Sequence, residues 1–153
     1  MPKKHIHKIQ ETTEDIIKKI GIKSSVVIKE ADGVFFIDIE SEDSALLIGR
    51  GGENLFSLEH IIKLIHQKDF QNEEIFPKIV LDVSNYRKNQ TQILEQTAAR
   101  ACEKVLKYKQ PEVLRPMNAY ERRIVHVTLK KYEDIMTESV GEDPYRRIIV
   151  KIK

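Results

Sequence analysis

The chain has one cysteine, Cys102, and therefore no internal disulfide. Apolar neighbours at helical spacing make that cysteine a packing residue rather than a reactive thiol. No run approaches the roughly 20 consecutive apolar residues that a bilayer crossing needs. The opening Met1-Pro2-Lys3-Lys4-His5 lacks the apolar core of a secretory signal, so a cytoplasmic protein is expected. There is no Gly-Lys-Ser/Thr phosphate loop, which argues against nucleotide hydrolysis. His5-Ile6-His7 lies in a fraying terminus, and no histidine or carboxylate elsewhere stands at metal-ligand spacing. No metal, cofactor or small-molecule substrate is expected, and neither an internal repeat nor a low-complexity segment is present.

What is present is enough apolar material, 41% of 153 residues, for one ordinary domain or two small ones. Charge is divided unevenly. Residues 1–84 carry 11 Lys/Arg against 15 Asp/Glu, net −4, while residues 85–153 carry 15 against 9, net +6. A basic half is the electrostatic footprint of a surface that grips a polyanion; ordinary solvated charge is the alternative.

Ile6, Ile9, Thr13, Ile16, Ile17 and Ile20 recur at helical spacing and end at Gly21, a natural left-handed cap. Ser25–Lys29 and Val34–Glu40 are strand-like runs about Asp32-Gly33, a tight-reversal pair. Ser41-Glu42-Asp43 is expected to cap a short helix through Ile48. Beyond Gly49-Arg50-Gly51-Gly52, the residues Leu55, Leu58, Ile62 and Ile65 resume the helical period. A polar loop then leads to Pro77 and a strand over Lys78–Val83. Residues 1–84 thus read as an α-β-β-α-α-β domain.

Residues 85–153 read as a second domain, α-β-α-β-β. A long helix over Tyr86–Tyr108 carries an apolar stripe of Ile93, Leu94, Thr97, Ala98, Ala101, Cys102, Val105 and Leu106. Arg87, Lys88, Arg100, Lys104 and Lys107 occupy its other side. Val113-Leu114-Arg115 is extended ahead of Pro116. Asn118 and Glu121 form a capping-box pattern that opens a helix from Ala119 to about Lys131. Asp134–Val140 and Tyr145–Lys153 are strand-like about the turn Gly141-Glu142-Asp143-Pro144.

Two features carry chemistry. Gly49-Arg50-Gly51-Gly52 joins two helices, where glycines admit a phosphate backbone without a Cβ in the way. The following helix offers free amides, Arg50 a fork of donors, and Leu47 and Ile48 an apolar wall for bases. A helix-helix turn that merely needs glycine is the alternative. In the second half, Arg122, His126 and Lys130 lie four apart on one helix face with Arg123 beside them, while Val125, Thr128, Leu129 and Tyr132 turn toward the core. Arginine holds phosphate or stacks on a base, and histidine can stack and donate to phosphate.

Leu47-Ile48-Gly49-Arg50-Gly51-Gly52-Glu53-Asn54-Leu55, in its strand-helix-helix-strand frame, resembles the loop of a type II KH domain. That resemblance implies a clamp on about four single-stranded nucleotides through Gly49, Arg50, Gly51 and Gly52. Arg115-Pro116-Met117-Asn118-Ala119-Tyr120-Glu121-Arg122-Arg123-Ile124-Val125-His126 resembles the core of the R-x-x-x-H domain, and residues 137–147 its closing hairpin. It implies binding of single-stranded nucleic acid through Arg122, Arg123, His126, Lys130 and Arg146 or Arg147. The two domains in this order are similar to the bacterial Jag, KhpB or SpoIIIJ-associated family. Membership implies RNA binding, a role in cell division, elongation or sporulation, and a smaller KhpA-like KH partner or a homodimer. Because the first helix begins within a few residues of Met1, the extra N-terminal domain of many members is expected to be absent.

Two other classes compete. Glu121, Arg122 and His126 are the best acid-base set for an enzyme, but Glu121 is better explained as a cap, so catalysis is not expected. A protein-interaction adaptor, using the acidic first half, is the stronger rival. Salt separates them: phosphate binding weakens steeply as counterions compete, and an apolar interface does not.

Overall fold

A computed structural model describes residues 2–70 and 78–153. The expected polar loop before Pro77 lies outside the described residues. The chain forms two compact units, Met1–Arg87 and Lys88–Lys153, and each is an α+β assembly with one three-stranded sheet.

In the first unit, α1 (Pro2–Ile20) buries Ile9, Thr13 and Ile17. Its apolar stripe does not reach the exposed Ile20. Gly21, at φ +88°, reverses the chain there, with its amide donating to Lys18 O and that of Ile22 to Ile17 O. This paired closure brings Ile22 into the core in place of Ile20. β1 (Ser25–Ala31) and β2 (Val34–Glu40) pair antiparallel through Ala31↔Val34. Asp32 and Gly33 both have positive φ, the conformation of a two-residue hairpin matched to strand twist. β3 (Lys78–Val83) lies parallel to β2, which requires the helical crossover of α2 (Ser44–Ile48) and α3 (Glu53–His66). Alternate residues Phe35, Ile37, Ile39, Ile79, Leu81 and Val83 face α1 and α3.

Two local expectations are corrected. Asp43 precedes α2 without a side-chain cap; Ser41 Oγ instead accepts from Asp43 N and donates to Lys23 O. On α3 the buried side is Leu55, Leu58, Ile62 and His66, with His66 1% exposed and Ile65 48%. The reason is helical phase: eleven residues from Leu55 complete about three turns, so position 66 returns to the core and position 65 lags. Asp69 accommodates the buried ring by hydrogen-bonding His66 Nδ1 at 2.8 Å.

α4 (Tyr86–Tyr108) begins in the first unit, where Arg87 hydrogen-bonds Glu59 at 2.6 Å and lies over the Phe56 ring. Arg87 is therefore engaged within the fold rather than part of a free basic face. In the second unit α4 buries Leu94, Ala98, Ala101, Cys102 and Val105, while Ile93 is exposed. Burial, with Glu103 adding to it, pushes the Cys102 thiol up, in keeping with a packing residue. β4 (Glu112–Pro116), β5 (Ile135–Val140) and β6 (Arg147–Ile152) form an antiparallel sheet in the order β4-β6-β5. α5 (Ala119–Leu129) packs through Val125 and Leu129. Its capping box is complete: Glu121 N donates to Asn118 Oδ1 at 2.9 Å and Asn118 N to Glu121 Oε2 at 3.0 Å.

Candidate nucleic-acid interface

In the first unit the loop between α2 and α3 is built by three glycines of positive φ: Gly49 at +70°, Gly51 at +61° and Gly52 at +86°. Two are also sterically required. A Cβ at Gly49 would stand 2.6 Å from Asn54 Cγ, and one at Gly52 would stand 3.0 Å from the Phe56 and Tyr86 rings. Asn54 is fixed there because its Nδ2 donates to Leu46 O at 2.8 Å, closing the end of α2. Gly52 has no side chain to compete for the first amides of α3, whose positive dipole end stays open to an anion. Arg50 is exposed and makes no hydrogen bond or ion pair among the described residues.

The apolar wall differs from expectation. Leu47 is buried in the core and Ile48 is half-buried; the exposed apolar side chain before the loop is Leu46. A separate open hollow of 190 Å³, lined by Asp38, Ile39, Glu40, Asp82, Ser84 and Asn85, is acidic and shares no residue with the loop.

In the second unit the cationic residues have distinct surroundings. Arg122 is turned inward, its side chain 11% exposed, with Nη1 donating to Met117 O at 2.7 Å and to Asp143 Oδ1 at 3.2 Å. It ties the start of α5 to the β5–β6 turn. His126 is exposed and shares a hydrogen bond through Nδ1 with Thr137 Oγ1 on β5. Nε2 is then the ring nitrogen open to a ligand. Arg146 Nε donates to Ser139 Oγ at 3.0 Å. Thr137 and Ser139 lie on one face of the edge strand, about 7 Å apart along it, so they align His126 and Arg146 in a row. Arg123 and Lys130 are exposed or half-exposed without side-chain partners among the described residues, whereas Arg147 Nε donates to Tyr145 O.

The pair Thr137 and Ser139 was missed in the sequence, although hydroxyls at period two on a strand facing a cationic helix are a readable signal. So was Arg115, which donates to the buried Glu121 carboxylate at 2.8 Å together with Gln90 at 2.7 Å. Among the described residues no group of His, Cys, Asp and Glu could hold a metal ion, and no helix is long and apolar enough to cross a membrane.

Residues 92–151, which include all of this row, match the family model of the R-x-x-x-H domain, named for its arginine and histidine. Over 142 residues the chain is 32% identical to the RNA-binding protein KhpB of Bacillus subtilis (strain 168), covering 92% of this chain and 67% of that protein. The chain belongs to the KhpB family. Its KhpB relative in Clostridium symbiosum is 32% identical over 134 residues, 88% of this chain. The chain spans 59% of that protein's length. The KhpB of Lactiplantibacillus plantarum (strain ATCC BAA-793 / NCIMB 8826 / WCFS1) is 24% identical over 141 residues, covering 90% of this chain and 42% of the relative.

Proposed function

We propose that this chain is a non-catalytic, cytoplasmic binder of single-stranded RNA with two contact sites. The first is the KH-type loop of Gly49, Arg50, Gly51 and Gly52; the second is the row of His126 and Arg146 in the R-x-x-x-H domain, with Arg122, Arg123 and Lys130. The observation that carries the reading is the row itself, because hydroxyls from one strand orient an imidazole and a guanidinium side by side on a basic unit. Such an array suits successive phosphates or a stacked base. Single-stranded DNA offers the same phosphates. The role that follows is post-transcriptional regulation or RNA chaperoning linked to division, elongation or sporulation.

The test is fluorescence anisotropy with labelled single-stranded RNA across a salt series. Wild type is expected to bind, and Lys130→Ala is expected to lower the slope of log K against log salt by about 0.7 for one lost phosphate contact. Arg50→Glu and His126→Ala are each expected to weaken binding, with circular dichroism unchanged. No binding at low salt would remove the reading.

A protein-interaction adaptor is favoured by one observation: Ile61, Leu64 and Ile65 form an exposed apolar stripe on α3 at 47%, 54% and 48%. A KhpA-like KH protein or a second copy of the chain would fit that class of surface. Salt-insensitive association, seen in sedimentation without RNA, would support it.

A further inference from the structure

Tyr145 is the most exposed of the large apolar and aromatic residues described, at 69%. A single exposed aromatic on a protein surface ordinarily needs no explanation. This one differs because the backbone beneath it is held from several sides. Tyr145 N donates to Glu142 O at 2.8 Å, and its carbonyl accepts from Arg147 Nε at 3.1 Å. The next carbonyl, Arg146 O, accepts from Met117 N at 2.9 Å. Arg122 closes the bracket by bonding both Met117 O and Asp143. The Tyr145 ring and hydroxyl have no partner among the described residues, whereas the exposed Tyr108 lies under Lys107. Its neighbour Arg146 is anchored to Ser139, beside the Thr137 that holds His126.

An open aromatic face on a rigid turn, continuing a row of cationic side chains, has the make-up of a stacking platform for an unpaired base. Little ring motion is lost on binding, because the turn is already ordered. Resting on the RNA-binding reading above, we infer that Tyr145 is a base-stacking residue of the second unit. A base lies flat on its ring while the adjoining phosphates lie against Arg146 and His126. Stacking uses the π-face common to every base, so this contact adds affinity with little sequence preference.

The chain contains no tryptophan, so Tyr145→Trp introduces one indole as a local reporter. Wild type, Tyr145→Ala, Tyr145→Phe and Tyr145→Trp would each be titrated with short fluorescein-labelled oligouridine in a salt series. Tyr145→Ala is expected to weaken binding about 5- to 100-fold with an unchanged salt slope, since a stacked base releases no counterions. Tyr145→Phe should bind like wild type, and the indole emission of Tyr145→Trp should be quenched in step with anisotropy. If wild type binds but Tyr145→Ala stays within about twofold and the indole is unquenched, the stacking inference is overturned while RNA binding stands. Equal weakening in Tyr145→Phe would assign the effect to the hydroxyl and overturn it too. If wild type itself does not bind, both readings fall.

Discussion

The imidazole of His126 on α5 is fixed by the hydroxyl of Thr137 on β5, a contact between a helix and the edge strand beside it. Thr137→Val keeps the shape and removes the hydroxyl, leaving the ring free to turn. A net hydrogen bond of about 1 kcal/mol corresponds to about fivefold weaker RNA binding. His126→Ala combined with Thr137→Val should lose no more than His126→Ala alone. Anisotropy across this double-mutant cycle reads the coupling directly.

Gly49→Ala should destabilise the first unit by about 1–3 kcal/mol, because alanine would be held at positive φ with its Cβ against Asn54. Urea unfolding checks the magnitude. Gly33→Asn is the control, since the hairpin position is open to a Cβ and asparagine tolerates the left-handed region.

Glu121→Ala should cost the second unit about 2–3 kcal/mol through the lost cap and the donors left behind at Arg115, Gln90 and Asn118 N. The thermal unfolding midpoint reports it. Glu121→Gln should recover part of the loss, because one amide oxygen still accepts.

Acid stability carries a signature at Asp69. Hydrogen bonds from Lys8 first and His66 second hold its carboxyl below the usual value of 3.8. A depressed folded-state pKa contributes stability that is fully present above the unfolded value and lost as pH falls through the lowered one. Urea midpoints of wild type and Asp69→Asn should therefore differ at about pH 6 and draw together as the pH is taken below about 3.

The elements and both motifs were legible in the sequence because each rests on local signals: period, glycine punctuation and the Asn118–Glu121 cap. Burial within an element was less legible. Apolarity favours Ile65 over His66, but helical phase and the Asp69 partner put the histidine inside. Likewise four-residue spacing groups Arg122 with His126, yet spacing is blind to Met117 O and Asp143, which draw the arginine inward. A partner such as Asp143 comes from a segment distant in sequence, and no short window contains it.

The two residues that give the motif its name consequently invite different kinds of failure. Arg122 joins α5 to a turn 21 residues away in sequence, so its loss first affects how much folded protein accumulates. His126 stands at the surface, so its loss leaves a normally abundant protein that captures its ligand poorly. In a cell-based screen, the same observed defect would yield to lower temperature or added chaperone for Arg122 variants, and resist both for His126 variants.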